Sequence, residues 1–528
     1  WLRPSSPGPC RKDRQVGQGL RNRAFLVMSN RPNPIIPGFN PDPSIVRVGS
    51  DYYLVNSTFE YLPGLPIYHS KDLDTWQLIG HVATRPGQLR GAGVKPPGGA
   101  WAPTIRFHQG LFYVVVTDFF GRGNLLFTSE NAAGPWSDGI QLDIGGIDPD
   151  LAWDEKGDCY LSVSGLTLGS EGGFEGHNGI SQVKINHHTG ELLESPRHLW
   201  RGSGLMFAEG PHLYRIGEYW YLLTAEGGTD RGHAVAIGRS KSPEGPWENN
   251  PANPITTAAG TNRRVQNTGH ADLFEDAEGN WHMVMLGVRP RGMIGAYSPL
   301  GRETFLTDVT WQDGWPVVAS FDTNESTPAP KFIDDFGNEN FDLEWMGVRQ
   351  LPQEVATIAN RTMHIKGNQR SLNDYEPAAV LKRQRILLGT ASSKVKVQGI
   401  GGMVLRYNET THYELEINDG KLSASANLST IRQVVSAENF SSAALDIEGF
   451  ATLFITFRQD AKPYTPEILT CDFVDLGFVD ALGQHHTVAS FDGRHMSSEV
   501  LSSFTGRAIG FYSITGETQV RSYRELPQ

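Results

Sequence analysis

The 528-residue chain reads as an all-β protein, a five-bladed β-propeller followed by a β-sandwich. Three observations predict this. Five stretches of similar texture recur, opening at Asp42, Trp101, Asp148, Glu209 and His270, with 59, 47, 61 and 61 residues between successive openings. Each is followed by a glycine and a short aromatic-rich run, such as Gly49 before Tyr52-Tyr53-Leu54 and Gly217 before Trp220-Tyr221-Leu222. Downstream of residue 331 the repeat stops and short alternating apolar segments take over. A period of this length built from apolar runs around glycine turns is the signature of propeller blades.

The chain divides in order. Residues 1–30 read as a disordered extension or a cloning leftover: they are rich in Arg, Pro and Gly, and Ala24–Met28 is too short for the apolar core of a secretory signal. Residues 31–321 hold the five units, and in each the run–glycine–run pattern predicts a hairpin. Trp76, Trp136, Trp200, Trp247 and Trp311 close the units. Residues 322–330, polar and proline-bearing, read as a linker. Residues 331–528 predict the sandwich, with strands at 392–397, 402–407, 412–417, 451–457 and 508–512 and no helical period.

Composition narrows the partners. A net charge of −12 with no Lys/Arg block excludes a nucleic-acid surface. No apolar run approaches the ~18 residues of a membrane span. Cys10, Cys159 and Cys471 have neither disulfide-framework nor zinc spacing. No signal peptide is visible, whereas sequons at Asn56, Asn324, Asn360, Asn408, Asn427 and Asn439 leave secretion open. Twelve tryptophans suit both blade packing and sugar stacking.

The first strand of each propeller blade lines the axis, so the five openings converge on Asp, Trp, Asp, Glu and His. Two carboxylates across a sugar are the minimum for glycoside hydrolysis. Units one and four lie across the ring, which suits Asp42 as base and Glu209 as acid with a water between them, the inverting arrangement. Asp148, in the unit beside Glu209, is expected to stay ionised and to raise the pKa of Glu209.

The motifs Gly38-Phe-Asn-Pro-Asp-Pro-Ser44, Ser57-Thr-Phe-Glu60, Gly99-Ala-Trp-Ala-Pro103, Ile147-Asp-Pro149, Ala208-Glu-Gly-Pro-His-Leu-Tyr214, Leu223–Thr229 and Pro299-Leu-Gly-Arg-Glu303 resemble glycoside hydrolase family 43. The remainder resembles the concanavalin-like C-terminal domain of its β-xylosidase branch. The resemblance implies an inverting enzyme with Asp42 as base, Glu209 as acid and Asp148 tuning the acid. It implies Phe59 and Trp101 as pocket walls, Arg302 as a sugar-hydroxyl ligand, and Glu226 in the substrate pocket as a brace for its floor. His270 would line the channel, where some relatives hold a divalent cation, calcium, near this imidazole; no cofactor is otherwise required. The expected activity is release of terminal xylose from β-1,4-xylo-oligosaccharides or arabinoxylan. α-L-Arabinofuranosidase or dual activity is the alternative, because Ile147 and the ending Thr518–Arg524 depart from the pattern of strict xylosidases. A non-catalytic glycan-binding propeller is the rival of another class.

Overall fold

The computed structural model describes residues 31–168, 174–292, 296–323, 330–459 and 472–528. Five antiparallel sheets follow one another along the chain, four of them four-stranded and the fourth in order five-stranded. Their innermost strands are Ser44–Val48, Gly99–His108, Ile147–Trp153, Glu209–Ile216 and Gln266–Glu275. In each blade a glycine turn returns the chain along the second strand, such as Asp51–Val55 after Gly49 or Tyr219–Glu226 after Gly217. Side chains alternate across a strand, so both blade faces are apolar and each blade stacks on the next. Five separate hydrophobic clusters result, one per blade–blade junction.

The junction between blades five and one closes the ring. Tyr52 and Leu54 of blade one pack there with Phe274, Val284 and Leu306 of blade five. The segment ahead of blade one clasps the third strand of blade five, Glu303–Gln312. Ile36 bridges Thr304, and the Asn33 amide exchanges hydrogen bonds with the Leu306 backbone at 2.8 and 3.0 Å.

The second unit is a β-sandwich around one large core that includes Trp345, Met403, Tyr413, Phe457, Phe511 and Tyr523. The strands expected at 392–397 and 402–407 are a single strand, Gly389–Asn408. Its register shifts between Ile400 and Gly401, where glycines let the chain bend without breaking the ladder. Of the sequons, Asn56 and Asn427 are buried, so neither is open to modification in the folded chain. Asn324, Cys10 and Cys471 lie outside the described residues; Cys159 is a buried free thiol.

The two domains share structure. A two-residue strand of the propeller, Tyr61–Leu62, pairs with Met346–Val348 of the sandwich. Around it lies a buried polar network: Arg406 donates to the Tyr61 hydroxyl at 2.8 Å and stands 3.0 Å from Glu409 and 3.8 Å from Glu60, while Arg349 pairs with Glu409. Buried charges are tolerated only when paired and hydrogen-bonded, so this network fixes one docking geometry. Glu60 directly follows Phe59, so the network anchors the pocket wall.

Candidate active site

One backbone device builds the site five times. The residue at the pocket end of each inner strand has left-handed backbone: Asp42 (φ 53°), Ala102 (33°), Asp148 (54°), Gly210 (54°) and His270 (46°). Proline follows in four of the five. In blades two to five the strand register shifts at this point, as in a β-bulge. The bulge re-aims side chains toward the axis. It also corrects the alignment read from the sequence. Trp101 and Glu209 do not share the position of Asp42; they stand one residue earlier, equivalent to Ile147. The shared proline, not the carboxylate, marks the repeat. Gly210 also avoids crowding: a Cβ there would lie 3.0 Å from the His270 ring.

Asp42, Asp148, Glu209, His270, Arg302, Phe59, Trp101 and Ile147 line one open pocket of about 380 Å³ together with Ala102, Thr229 and Phe504. The structure thus brings together all but one of the residues singled out from sequence. The exception is Glu226. It is fully buried and spent on the loop before Glu209, accepting from the Ser203 amide (2.8 Å) and hydroxyl (2.7 Å), the Leu205 amide (3.2 Å) and Thr224 (3.1 Å). It touches no pocket surface, and its assignment to the substrate pocket is corrected to a brace of that loop.

The three acids differ in their surroundings. Asp42 accepts from the Ser57 hydroxyl at 2.6 Å and from Arg302 at 3.1 Å, with His270 Nδ1 at 3.8 Å. Burial alone would raise its pKa, but Arg302, His270 and Ser57 outweigh burial and hold it below the usual carboxylate value. Asp148 has one hydrogen bond to the charged form, from the Gly210 amide at 3.0 Å. Burial, and then the Asp42 charge, push it up to about 7. It is therefore not held ionised throughout, as the sequence suggested, but titrates near neutrality. Burial also pushes Glu209 well above the usual range, and the Asp148 and Asp42 charges push it further. One pocket thus holds a strong base-side anion and a carboxyl that keeps its proton, the divergence that acid–base catalysis needs.

Arg302 is positioned from both domains. It donates to Asp42, to Thr229 Oγ1 at 3.0 Å and to the Phe504 carbonyl at 3.2 Å. Phe504, from the sandwich, stacks on Phe59 (6.1 Å) and meets Trp101 edge-on (5.2 Å). Close backbone approach allows this: a Cβ on Gly301 would lie 2.8 Å from the Thr505 carbonyl, and one on Gly506 2.7 Å from that of Leu300. Nothing in the sequence flagged Phe504, since it carries no motif and lies in the other domain.

Beneath the acids lies a second ring, two residues further along each strand: Ser44, Thr104, Asp150, His212 and Asp272, all buried. Arg106 knits it together. It donates to Asp150 (2.6 Å), His212 (2.9 Å), Asp272 (2.9 Å) and Ser44 (3.3 Å), tying blade two to the other four. The two-residue period of a strand could have found this ring.

The donor set at His270 does not fit a cation held by protein ligands alone. Calcium takes six to eight oxygens, and among the described residues no three His, Cys, Asp or Glu side chains form a metal-binding group. Burial keeps the His270 imidazole neutral, with its pKa at about 4 despite the Asp42 charge.

Similarity to known proteins agrees with this geometry. A Bacteroides ovatus non-reducing end alpha-L-arabinofuranosidase is 36% identical over 94% of both chains. A Bacillus subtilis beta-xylosidase is 32% identical over 78% of this chain and 82% of its own. Among solved structures, a Bacteroides ovatus xyloglucan-locus GH43B protein superposes with a TM-score of 0.82 at 34% identity, covering 94% of this chain and all of that one. A Bacillus halodurans xylan beta-1,4-xylosidase also gives 0.82, at 29% identity, over 94% of this chain and 99% of that one. Residues 333–524 match the beta xylosidase C-terminal concanavalin A-like domain. Residues 31–316 match glycosyl hydrolases family 43, and the chain is a glycoside hydrolase of that family.

Proposed function

We propose that the protein is an inverting exo-glycosidase that releases a terminal pentose, xylose in the first instance, from β-1,4-xylo-oligosaccharides or arabinoxylan. The observation that carries this reading is one pocket holding three buried carboxylates of divergent proton affinity. Asp42, the anion, takes a proton from water as its oxygen attacks the anomeric carbon. The bond from that carbon to the leaving oxygen breaks on the opposite face, and Glu209 gives that oxygen its proton. Asp148, when ionised, keeps the proton on Glu209 until it is needed. Exchange with solvent then restores both groups. Phe504 walls the pocket from the second domain, which supports action at chain ends.

Release of terminal α-L-arabinofuranose is the second reading. It is favoured by Ile147, an aliphatic wall beside Asp148, and by the arabinofuranosidase relative.

Two measurements test the proposal. 4-Nitrophenyl β-D-xylopyranoside and α-L-arabinofuranoside should both be cleaved, the xyloside faster; the reverse ranking selects the second reading. Proton NMR of nascent xylose should show the α-anomer first. Retained configuration, or inertness toward both substrates, refutes the assignment of the acids.

A further inference from the structure

The sandwich carries a cleft that the mechanism does not use. Along the strand Thr411–Asn418, Tyr413, Leu415 and Ile417 belong to the core, so His412, Glu414 and Glu416 share the opposite face. One part of that face docks the propeller, where Phe39 and Tyr61 pack with Leu381, Val404, Ala508 and Tyr512. Beyond the docked part, Glu414, Glu416, Asn427, Arg432, Ile400 and Ile514 line a cleft of about 550 Å³, larger than the active-site pocket. Ile514 stands well along the strand that begins at Ala508, roughly 20 Å from that end at ~3.3 Å per residue. The cleft and the pocket walled by Phe504 are therefore separate cavities.

The floor of the cleft is built from carboxylates. Glu414 accepts from the Asn427 amide at 2.6 Å and from the Tyr512 hydroxyl at 3.1 Å, with His412 Nδ1 at 2.8 Å. The same Tyr512 hydroxyl lies 3.4 Å from Glu416. A hydroxyl has one proton to give, so it cannot serve both carboxylates at once. Burial, and then the Glu414 charge, raise the Glu416 pKa against the pull of Arg432. Two neighbouring carboxylates cost free energy on a sheet face, and Glu416 opens onto the cleft with acceptor sites to spare. The walls are apolar. Ile400 and Ile514 stand on one side, and Val434, 53% exposed, stands on the other, in the edge strand Ile431–Ser436. Val434 pairs with Ser425, which pairs with Glu414, so its side chain shares their face.

We propose that this cleft is an accessory glycan-binding site, which holds the body of a neutral pentosan chain away from the pocket that cuts its end. The identity of the chain rests on the exo-pentosidase reading above; the cleft's affinity for a neutral glycan does not. A sugar supplies what the cleft lacks. Its hydroxyls donate to Glu416, its oxygens accept from Arg432, and its C–H faces cover Ile400, Ile514 and Val434. An anion is repelled by the two carboxylates. A wholly apolar ligand would strip water from them and replace none of its hydrogen bonds. Calcium takes six to eight oxygens, and among the described residues no three His, Cys, Asp or Glu side chains form a metal-binding group. The cleft wall also touches the catalytic domain. Leu372 and Asn373 line the cleft, and a few residues on Glu376 accepts from the Gly93 amide of the propeller at 2.9 Å. A chain held here stays beside the propeller.

The test is affinity electrophoresis of the full chain through gels containing soluble arabinoxylan, since a pocket for chain ends adds little retardation by a long polymer. Wild type should be retarded. Glu416→Ala/Arg432→Ala should weaken the apparent Kd about tenfold while kcat/KM on 4-nitrophenyl pentosides stays within about twofold. Arg432 is exposed, so Arg432→Ala alone, with a loss of about threefold, keeps the test valid if the double variant fails to fold. Wild type that runs unretarded, or variants retarded as strongly as wild type, would overturn the site. So would a melting temperature that calcium chloride alone raises in wild type and not in the double variant, with no retardation by arabinoxylan. Failure to cleave any aryl pentoside would overturn the functional reading, whereas retardation alone decides the cleft.

Discussion

Removing Arg302 should move the acidic limb of the pH–rate profile. Arg302 and Asp42 are both buried, with guanidinium nitrogen and carboxylate oxygen 3.1 Å apart. At that separation and an effective dielectric constant of about 20 the pair attracts by roughly 5 kcal/mol. That attraction is the largest single influence that opposes burial at Asp42. Arg302→Met leaves Ser57 and His270 in place, but burial, the largest influence on Asp42, then goes largely unopposed. Water entering the space of the lost guanidinium screens part of the change, so the Asp42 pKa should rise by less than the full attraction would allow. The base must be ionised to work. Wild-type kcat/KM should therefore hold down to below the usual carboxylate range, and the variant should lose activity at a distinctly higher pH than wild type. Arg302→Lys keeps the charge and should keep the limb low, even if KM rises. The assay is kcat/KM for an aryl pentoside from pH 3 to 9, with circular dichroism at each pH to exclude unfolding. An acidic limb that stays put in Arg302→Met while activity falls uniformly would mean that Asp42 is not the group whose ionisation sets it.

The other predictions concern the remaining pocket residues. Asp148→Asn removes an anion that burdens Glu209, so the Glu209 pKa should fall and the basic limb move down, with binding retained; an unmoved limb would make Asp148 a turn residue. Glu209→Ala should cost ~10²–10⁴-fold on xylo-oligosaccharides and far less on activated aryl glycosides, whose leaving groups need no proton. An equal loss on both would contradict its role as acid. Phe504→Ala opens the pocket wall and should raise KM by about tenfold, the equivalent of roughly 1.4 kcal/mol of lost apolar contact, without shifting either pH limb.

The sequence was most legible where one chemical rule acts locally. Glycine turns between aromatic runs identified the hairpins, and the recurring proline marked the bulge that aims Asp42 and Asp148 at the axis. The same proline could have shown that Trp101 and Glu209 sit one residue before that bulge; aligning on the conspicuous side chains hid the offset. Glu226 was misassigned because a motif locates a residue in a fold without saying which way its carboxylate faces. Phe504 and the Tyr61–Leu62 strand were illegible for a stronger reason. Both depend on how two domains dock, and docking is set by shape and a buried charge network that no periodicity encodes.

Each blade is cut from one contiguous stretch of chain, yet the ring is closed by residues 33–36 against the third strand of blade five. Blades can therefore assemble in the order of synthesis, from contacts that are short in sequence. The Asp42–Arg302 contact spans 260 residues and cannot form until the fifth blade exists. The Arg302–Phe504 contact, spanning 202, must wait for the sandwich. A chain cut off after Glu209 carries every acid and still lacks the arginine and the wall that make them an active site. Catalytic activity in this protein is thus a late event in its biogenesis, and appearance of turnover during refolding times ring closure and domain docking rather than the folding of any one blade.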